Sequence, residues 1–138
     1  MVKAVFDTNV LVSSLIRRGN PRDLWRKVAK GEIMLIVSPQ ILKEFDKVMM
    51  RPQLRRYITA SKLHRFRRLL HSKTTLVRPR TRFPQLTSDP NDNILVETAF
   101  DGKAGYLVSG DKHLLALKEF EGIRIVTVSE MLKPLKKT

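Results

Sequence analysis

The segment Ile33–Val37 is a run of five apolar residues between Glu32 and Ser38, and it constrains the fold more than any other feature of the sequence. A short, uninterrupted apolar run is typical of a strand that is covered on both faces. Four other short segments also read as strands: Lys3–Phe6, Thr74–Val77, Tyr106–Ser109 and Ile123–Val128. Because segments with helical patterns separate them, the sequence predicts an α/β fold with a mostly parallel sheet.

The helical segments are indicated by capping residues and by apolar residues three and four positions apart. Ser38 is expected to cap one helix, and Asn20, followed by Pro21, to cap another. In the helix predicted over Thr59–Ser72, four residues are expected to point inward: Leu63, Phe66, Leu69 and Leu70. The remaining predictions are helices over Thr8–Arg17, Asp89–Lys103 and Lys112–Lys118, a final turn at Ser129–Leu132, and a frayed tail over Lys133–Thr138.

The bulk composition narrows the class of protein. A length of 138 residues fits one domain over positions 1–138, large enough to bury a core without disulfides. The absence of cysteine excludes disulfides, zinc–thiolate sites and thiol catalysis. No secretory signal and no membrane span of about 18 apolar residues is recognisable, so we expect a cytoplasmic protein without membrane association.

The charge is strongly basic, with 27 Lys and Arg against 13 Asp and Glu and a formal net charge of +14. Such an excess favours a polyanionic partner such as nucleic acid, although a merely soluble basic protein would carry it too. The excess is regional, because no acidic residue occurs between Asp46 and Asp89. Five basic residues are candidates for contact with RNA: Arg65, Arg68, Arg80, Arg82 and Lys112.

Four acidic residues occur at the ends or apolar edges of the predicted elements. Asp7 and Asp111 follow strands, Asp92 lies in the first turn of a helix, and Glu44 lies beside an apolar helix stripe. Each has an ordinary structural explanation, since Asp7 and Asp111 could be N-caps and Asp92 could complement a helix dipole. Parallel strands, however, would bring the acids to one edge of the sheet, where ligands bind in open α/β folds.

Crowded carboxylates repel one another, and a hard divalent cation relieves that repulsion. Mg²⁺ or Mn²⁺ takes oxygen ligands and can bind a substrate phosphate at the same time. The cation can then help a water molecule attack phosphorus. The four acids in a basic chain therefore predict a metal site that acts on a polyanion.

The chain resembles the PIN-domain ribonucleases and, within them, the VapC-like toxins of toxin–antitoxin systems. The resemblance extends from Val2 to about Leu132 and is carried by the order and spacing of three segments. These are Val5–Ser13, then Ser38-Pro39 through Glu44, and finally Asp89–Asn93 together with Leu107–Leu115.

This resemblance implies a three-layer α/β/α sandwich with a short, mostly parallel central sheet. It also implies a Mg²⁺- or Mn²⁺-dependent endoribonuclease of single-stranded RNA, commonly a homodimer and often silenced by an antitoxin protein. Asp7, Asp92 and Asp111 correspond to metal ligands, and Glu44 to a direct or water-mediated ligand. Three residues correspond to supporting positions: Ser109, Asn9 and Asp89.

Two other functions remain open from the sequence. One is a PIN-fold module that binds RNA or a protein without catalysis, and the other is a structure-specific DNA nuclease.

The aromatic residues are expected in two kinds of environment. Trp25, Phe45, Phe66 and Phe100 are expected in the core, whereas Phe83, in a basic loop, could contact RNA or pack across a dimer interface.

Overall fold

The computed structural model describes residues 2–136, which contain a six-stranded sheet. The strands are β1 (Val2–Phe6), β2 (Ile33–Val37), β3 (Thr74–Leu76), β4 (Tyr106–Val108), β5 (Glu119–Phe120) and β6 (Ile123–Val126). Their order across the sheet is β3-β2-β1-β4-β6-β5, and all neighbours are parallel except β5, which runs antiparallel to β6. The predicted α/β fold with a mostly parallel sheet is confirmed.

Helices connect the strands. They are α1 (Thr8–Ile16), α2 (Asn20–Ala29), α3 (Pro39–Met49), α4 (Pro52–Arg55), α5 (Ala60–Ser72), α6 (Asp92–Asp101), α7 (Lys112–Leu115) and α8 (Val128–Lys136). The predicted cap of α3 is confirmed, because the Ser38 hydroxyl accepts a hydrogen bond from the backbone N of Ile41 at 3.3 Å. The predicted cap of α2 is wrong. Asn20 is already helical, and the N-cap is Gly19, whose φ of 91° favours glycine.

The sheet is buried on both faces. Ala4 and Val5 are both 0 % exposed, and successive strand residues point to opposite faces, so helices must cover both sides of β1. Leu35 and Ile36 of β2 and Leu107 of β4 are buried in the same way. Burying one side chain the size of Leu35 stabilises the fold by about 1.5–3 kcal/mol. The strands thus form the middle of three layers.

The topology brings the ends of two central strands together. β1 lies beside β4, with Phe6 opposite Val108 in parallel register. The chain proceeds from β1 to β2 and β3 on one side, then crosses to β4 and β6 on the other. Ligand sites of open α/β sheets lie at such a reversal, outside the carboxyl ends of the strands.

Several element boundaries differ from the prediction. α6 begins at Asp92 instead of Asp89, and β6 ends at Val126, where Thr127 begins the capping turn of α8. α8 itself is a helix through Lys136 instead of a final turn, and the last two residues of the predicted tail, Lys137 and Thr138, lie outside the described residues. The edge strand β5 was not predicted.

Two side chains predicted in the core are partly exposed. Leu69 is 37 % exposed because the buried stripe of α5 runs through Leu63, Phe66 and Leu70 and leaves Leu69 beside it. Phe100, at the end of α6, is 38 % exposed. No helix in the described part of the chain has the length and hydropathy needed to cross a bilayer.

Candidate active site

Asp7 lies where β1 ends and α1 begins, and both of its carboxylate oxygens are engaged. Oδ1 accepts a hydrogen bond from the backbone N of Val10 at 2.8 Å, which caps α1. Oδ2 accepts one from the Ser109 hydroxyl at 2.5 Å. Asp7 is only 7 % exposed, and this burial raises the pKa of its carboxyl above the ordinary value of 3.8, although both hydrogen bonds oppose the shift.

Ser109 connects Asp7 to Asp111. Its hydroxyl donates to Asp7 and accepts a hydrogen bond from the backbone N of Asp111 at 3.0 Å. Asp111 in turn caps α7, because its Oδ1 accepts from the backbone N of His113 at 2.8 Å. Asp7 and Asp111 are therefore N-caps, as the structural explanation predicted, and they also meet at the sheet edge. Capping holds each carboxylate in a defined orientation.

Asp92 is the first residue of α6 and is 6 % exposed. The hydroxyl of Thr87 donates a hydrogen bond to its Oδ2 at 2.6 Å. Burial raises the pKa of the Asp92 carboxyl above 3.8, and the charges of Asp111 and Asp89 raise it further, against the lowering effect of Thr87. Asp92 therefore lies close enough to Asp111 and Asp89 for their negative charges to raise the pKa of its carboxyl.

A cavity of about 420 Å³ opens between these residues. Its lining includes five carboxylates: Asp7, Glu44, Asp89, Asp92 and Asp111. Glu44 is solvent-exposed on α3, one turn after Ile41 and one before Val48, and all three line the same cavity. The supporting candidate Asn9 also lines it. The four predicted acids therefore converge on one cavity.

These carboxylates lack basic partners. Among residues 2–133, whose side chains the structure describes, none of the five forms an ion pair with Lys, Arg or His, although the chain has 27 Lys and Arg. Among the described residues, the basic side chain that lines the cavity is Arg51. Acids that remain unpaired in so basic a chain keep their oxygens available for another cation.

The donor set fits a hard divalent cation of the Mg²⁺ type. All five groups are carboxylates, and the charge of Asp111 raises the pKa of both Asp7 and Asp92, which a cation would reverse. In the part of the chain described, no group of three or more Asp, Glu or His side chains lies close enough together to hold a metal ion by itself. Mg²⁺ usually keeps several waters and binds through one or two carboxylates plus substrate phosphate, which suits this open arrangement.

The five basic residues predicted to contact RNA do not line the cavity. Arg65 and Arg68 are exposed on α5, and Lys112 is exposed at the start of α7, next to Asp111. Arg80 and Arg82 are exposed in the segment between β3 and α6, where Arg82 also donates to the carbonyl oxygens of Pro79 and Thr81. The acids thus share one cavity, whereas these five basic residues lie outside its lining.

The basic segment 78–88, which we call the basic loop, is bound along one side of α6. Three polar residues of that helix hold it, at spacings of four residues: Asn93, Glu97 and Asp101. Asn93 Oδ1 accepts from the backbone N of Leu86 at 3.0 Å, and Glu97 Oε2 accepts from that of Phe83 at 2.9 Å. Asp101 accepts hydrogen bonds from the backbone and hydroxyl of Thr81.

Phe83 packs within its own chain. Its ring meets those of Phe100 and Phe120 edge-on, with centroids 5.3 and 5.0 Å away. This packing secures the basic loop to α6 and β5 and explains why Phe100 lies at the rim of the core. The sequence left open whether Phe83 contacts RNA or packs across a dimer interface. In the structure, its ring contacts two aromatic rings of the same chain.

Sequence reasoning missed Thr87, Arg51 and Glu97. Glu97 is 3 % exposed, and its spacing of four residues from both Asn93 and Asp101 was a readable signal of a polar helix stripe. Thr87 and Arg51 offered no comparable signal, because loop geometry brings them to the site.

The chain is similar to a known protein family and to a protein of another organism. Residues 3–113 match the family model described as PIN domain. The uncharacterized protein MJ1680 of Methanocaldococcus jannaschii is 31 % identical over 120 residues, which cover 86 % of this chain and 76 % of that protein.

Two solved structures have a similar fold. The crystal structure of PAE2754 from Pyrobaculum aerophilum gives a TM-score of 0.66 at 14 % identity, over 99 % of this chain and 91 % of that one. The structure of VapBC2 from Rickettsia felis, bound to a DNA fragment from their promoter, gives 0.63 at 16 % identity, over 91 % and 98 %.

Proposed function

The chain belongs to the PIN-domain family, and on that basis we propose that it is a metal-dependent endoribonuclease that cleaves single-stranded RNA. The observation that carries the proposal is the cavity lined by five carboxylates without basic partners, in a chain of net charge +14. Carboxylates that lie in one cavity without basic partners are suited to hold a cation, and that cation can in turn bind phosphate.

We assign the cation to Asp7, Asp92 and Asp111, with Glu44 as a direct or water-mediated ligand. Members of the family generally use divalent metals, and we expect Mg²⁺ or Mn²⁺ here. Such a cation would stabilise negative charge on the phosphate during hydrolysis. Glu44, which is exposed on the cavity wall, would orient the attacking water and accept its proton.

The supporting residues keep the acids in position. Ser109 holds Asp7 through its hydroxyl, and we assign it to ordering the ligands. Asn9 and Asp89 line the cavity and are assigned to its hydration and its charge. Both roles are less direct than those of the metal ligands, so their replacement should reduce activity less.

We assign the substrate class from the distribution of basic residues in the chain. Segment 47–88 contains no acid. One of its basic residues, Arg51, lines the carboxylate cavity, and the basic loop contacts the cavity residue Asp92 through Thr87. We propose that Arg65, Arg68, Arg80, Arg82 and Lys112 contact phosphates along the RNA, while Arg51 contacts one close to the scissile bond. Binding should therefore weaken steeply as salt increases.

The test is cleavage of a fluorescent single-stranded RNA by the purified protein. We expect activity with Mg²⁺ or Mn²⁺, none in EDTA, and a loss of at least about 100-fold in Asp7→Asn. Asp46→Asn is the matched control, because Asp46 is exposed and pairs with Arg67. Undiminished cleavage in EDTA would refute the proposal.

A non-catalytic RNA-binding module is the second candidate, favoured by the dense basic segment. It predicts RNA binding that is equal with and without metal, and no cleavage. A structure-specific DNA nuclease would be recognised by digesting single-stranded RNA, single-stranded DNA and a flap substrate side by side.

We further propose that the protein is the toxin of a toxin–antitoxin pair in the cytoplasm. The support is the fold similarity to the VapBC2 structure. Co-expression with the product of a neighbouring gene should suppress toxicity and yield a stable complex. Light scattering of the isolated chain tests the proposed homodimer.

A further inference from the structure

Thr87 is the residue outside the acidic set that contacts the Asp92 carboxylate. Its hydroxyl is 2.6 Å from Asp92 Oδ2, and the next acceptor, the backbone oxygen of Asp89, is 3.1 Å away. A hydroxyl has a single proton, so that proton goes to the nearer and charged acceptor. We propose that Thr87 is a positioning residue that orients the Asp92 carboxylate for a divalent cation, an inference that rests on the proposed function.

The geometry leaves the rest of the carboxylate available for a ligand. Oδ1 of Asp92 accepts no hydrogen bond from the described residues, and Oδ2 accepts only that of Thr87. With one oxygen fixed by a hydroxyl and the helix start fixing the backbone, the side chain has little rotational freedom left. A carboxylate held in this way loses less entropy on binding a cation than a free one.

Thr87 is itself held in place. The backbone N of Asp89 donates to its hydroxyl at 3.2 Å, and Gln85 Nε2 donates to its carbonyl oxygen at 2.9 Å. Leu86, directly before it, is tied to Asn93 on α6. The backbone of Thr87 is thereby held next to α6, and the hydrogen bond from the Asp89 backbone N favours the rotamer in which the hydroxyl faces Asp92.

The arrangement at Asp92 repeats the one at Asp7. In each, a hydroxyl from another segment donates to Oδ2, at 2.5 Å from Ser109 and 2.6 Å from Thr87. The two hydroxyls differ in what supports them, since Ser109 follows a central strand and Thr87 ends the loop that carries Arg80 and Arg82. RNA that binds this loop would thus act directly on the orientation of a metal ligand.

The test measures Mn²⁺ binding by calorimetry in the absence of RNA. Thr87→Val removes the hydroxyl at nearly constant volume and should weaken Mn²⁺ binding by about 10- to 100-fold, the usual effect of losing such a supporting hydrogen bond. Thr87→Ser keeps the hydroxyl and should stay within about threefold of wild type. The control is Thr81→Val in the same loop, where the lost hydroxyl contacts Asp101 and Mn²⁺ affinity should not change.

A cleavage assay adds a second measurement, the Mn²⁺ dependence of the rate, which would not change if Thr87 had only a structural role. In Thr87→Val the Mn²⁺ concentration for half-maximal cleavage should rise with the dissociation constant, and excess Mn²⁺ should restore most of kcat. If the valine variant loses its cooperative melting, Thr87→Ala, which cannot clash, carries the same expectation.

The outcomes separate this inference from the proposed function. If the wild type neither binds Mn²⁺ nor cleaves RNA, both fall. If the wild type does both, and Thr87→Val binds Mn²⁺ with unchanged affinity, only the role of Thr87 is refuted. Equal weakening by Thr81→Val would also overturn it, because the effect would then belong to the loop as a whole.

Discussion

Replacing Asp7 with asparagine should stabilise the metal-free protein near neutral pH while removing its activity. The Asp7 carboxyl is 7 % exposed, and burial raises its pKa above 3.8 despite hydrogen bonds from Ser109 and Val10. A raised pKa means that the surroundings as a whole disfavour the charged form. Asparagine keeps an oxygen that can cap α1, but it carries no charge.

The size of the effect follows from proton linkage. The folded protein retains the Asp7 proton at pH values where the unfolded chain, with a pKa near 3.8, has lost it. Stability is therefore lost as pH rises from about 3.8 through the raised pKa, and the loss is complete above it. Each unit of elevation is worth about 1.4 kcal/mol, or about 4 °C in Tm for a chain of this size.

The assay compares Tm of wild type and Asp7→Asn in EDTA from pH 4 to 8. The gain of the variant should be smallest at pH 4 and should level off above the raised pKa of Asp7. Adding Mn²⁺ should raise Tm of the wild type by mass action and leave Asp7→Asn unchanged.

Asp101→Asn is the control with the opposite sign. The Thr81 hydroxyl and backbone lower the pKa of Asp101, so its contribution to stability is present above the unfolded value of 3.8 and is lost as pH falls through the folded one. This variant should lose about 1 kcal/mol at pH 7, because its hydrogen bonds are no longer charge-assisted. If Asp7→Asn melts at or below wild type at every pH, the burial argument for this carboxylate is wrong.

Three further predictions concern the cavity rim, the basic loop and α6. Arg51→Gln should raise KM more than it lowers kcat, and it should reduce the salt slope of RNA binding by about 0.7; an unchanged slope would exclude a phosphate contact. Phe83→Ala removes a half-buried ring from two edge-on contacts and should cost about 2 kcal/mol in chemical denaturation, whereas Phe83→Leu should cost less. Gly102→Ala would place a Cβ 2.7 Å from Ile36 Cγ2 and should cost about 1–3 kcal/mol, so wild-type stability would contradict the packing described.

The strands could be predicted because their signal is local. Ile33–Val37 forms β2 with the predicted bounds, since a five-residue apolar run between polar residues has few other structures open to it. Asp7 and Asp111 were likewise located by the strands that they follow. Parallel pairing then determines that such residues meet, although the hydrogen bonds that join them through Ser109 required the structure.

The sequence indicated a basic loop, but the path of this loop along α6 could not be predicted, because it depends on long-range contacts. Residues 78–88 have no regular hydrogen-bonded pattern of their own and take their shape from Asn93, Glu97 and Asp101. Nothing in a local sequence window indicates that Thr87 reaches Asp92. The same applies to Leu69, which fits a helical stripe in sequence yet lies just outside the buried one.

β1 and β4 lie in the middle of the sheet, so the elements that carry the site residues differ in how readily they unfold locally. Both strands have a partner on each side, so their amides should exchange with solvent only in global unfolding. The hydrogen bond between Ser109 and Asp7, at the ends of these strands, should share that protection. Glu44 on α3 and Thr87 in the basic loop lie outside the sheet, where local opening can displace them. Loss of Asp7 from the site would thus require loss of the fold, whereas a local change at Glu44 or Thr87 would alter the site while the fold persists.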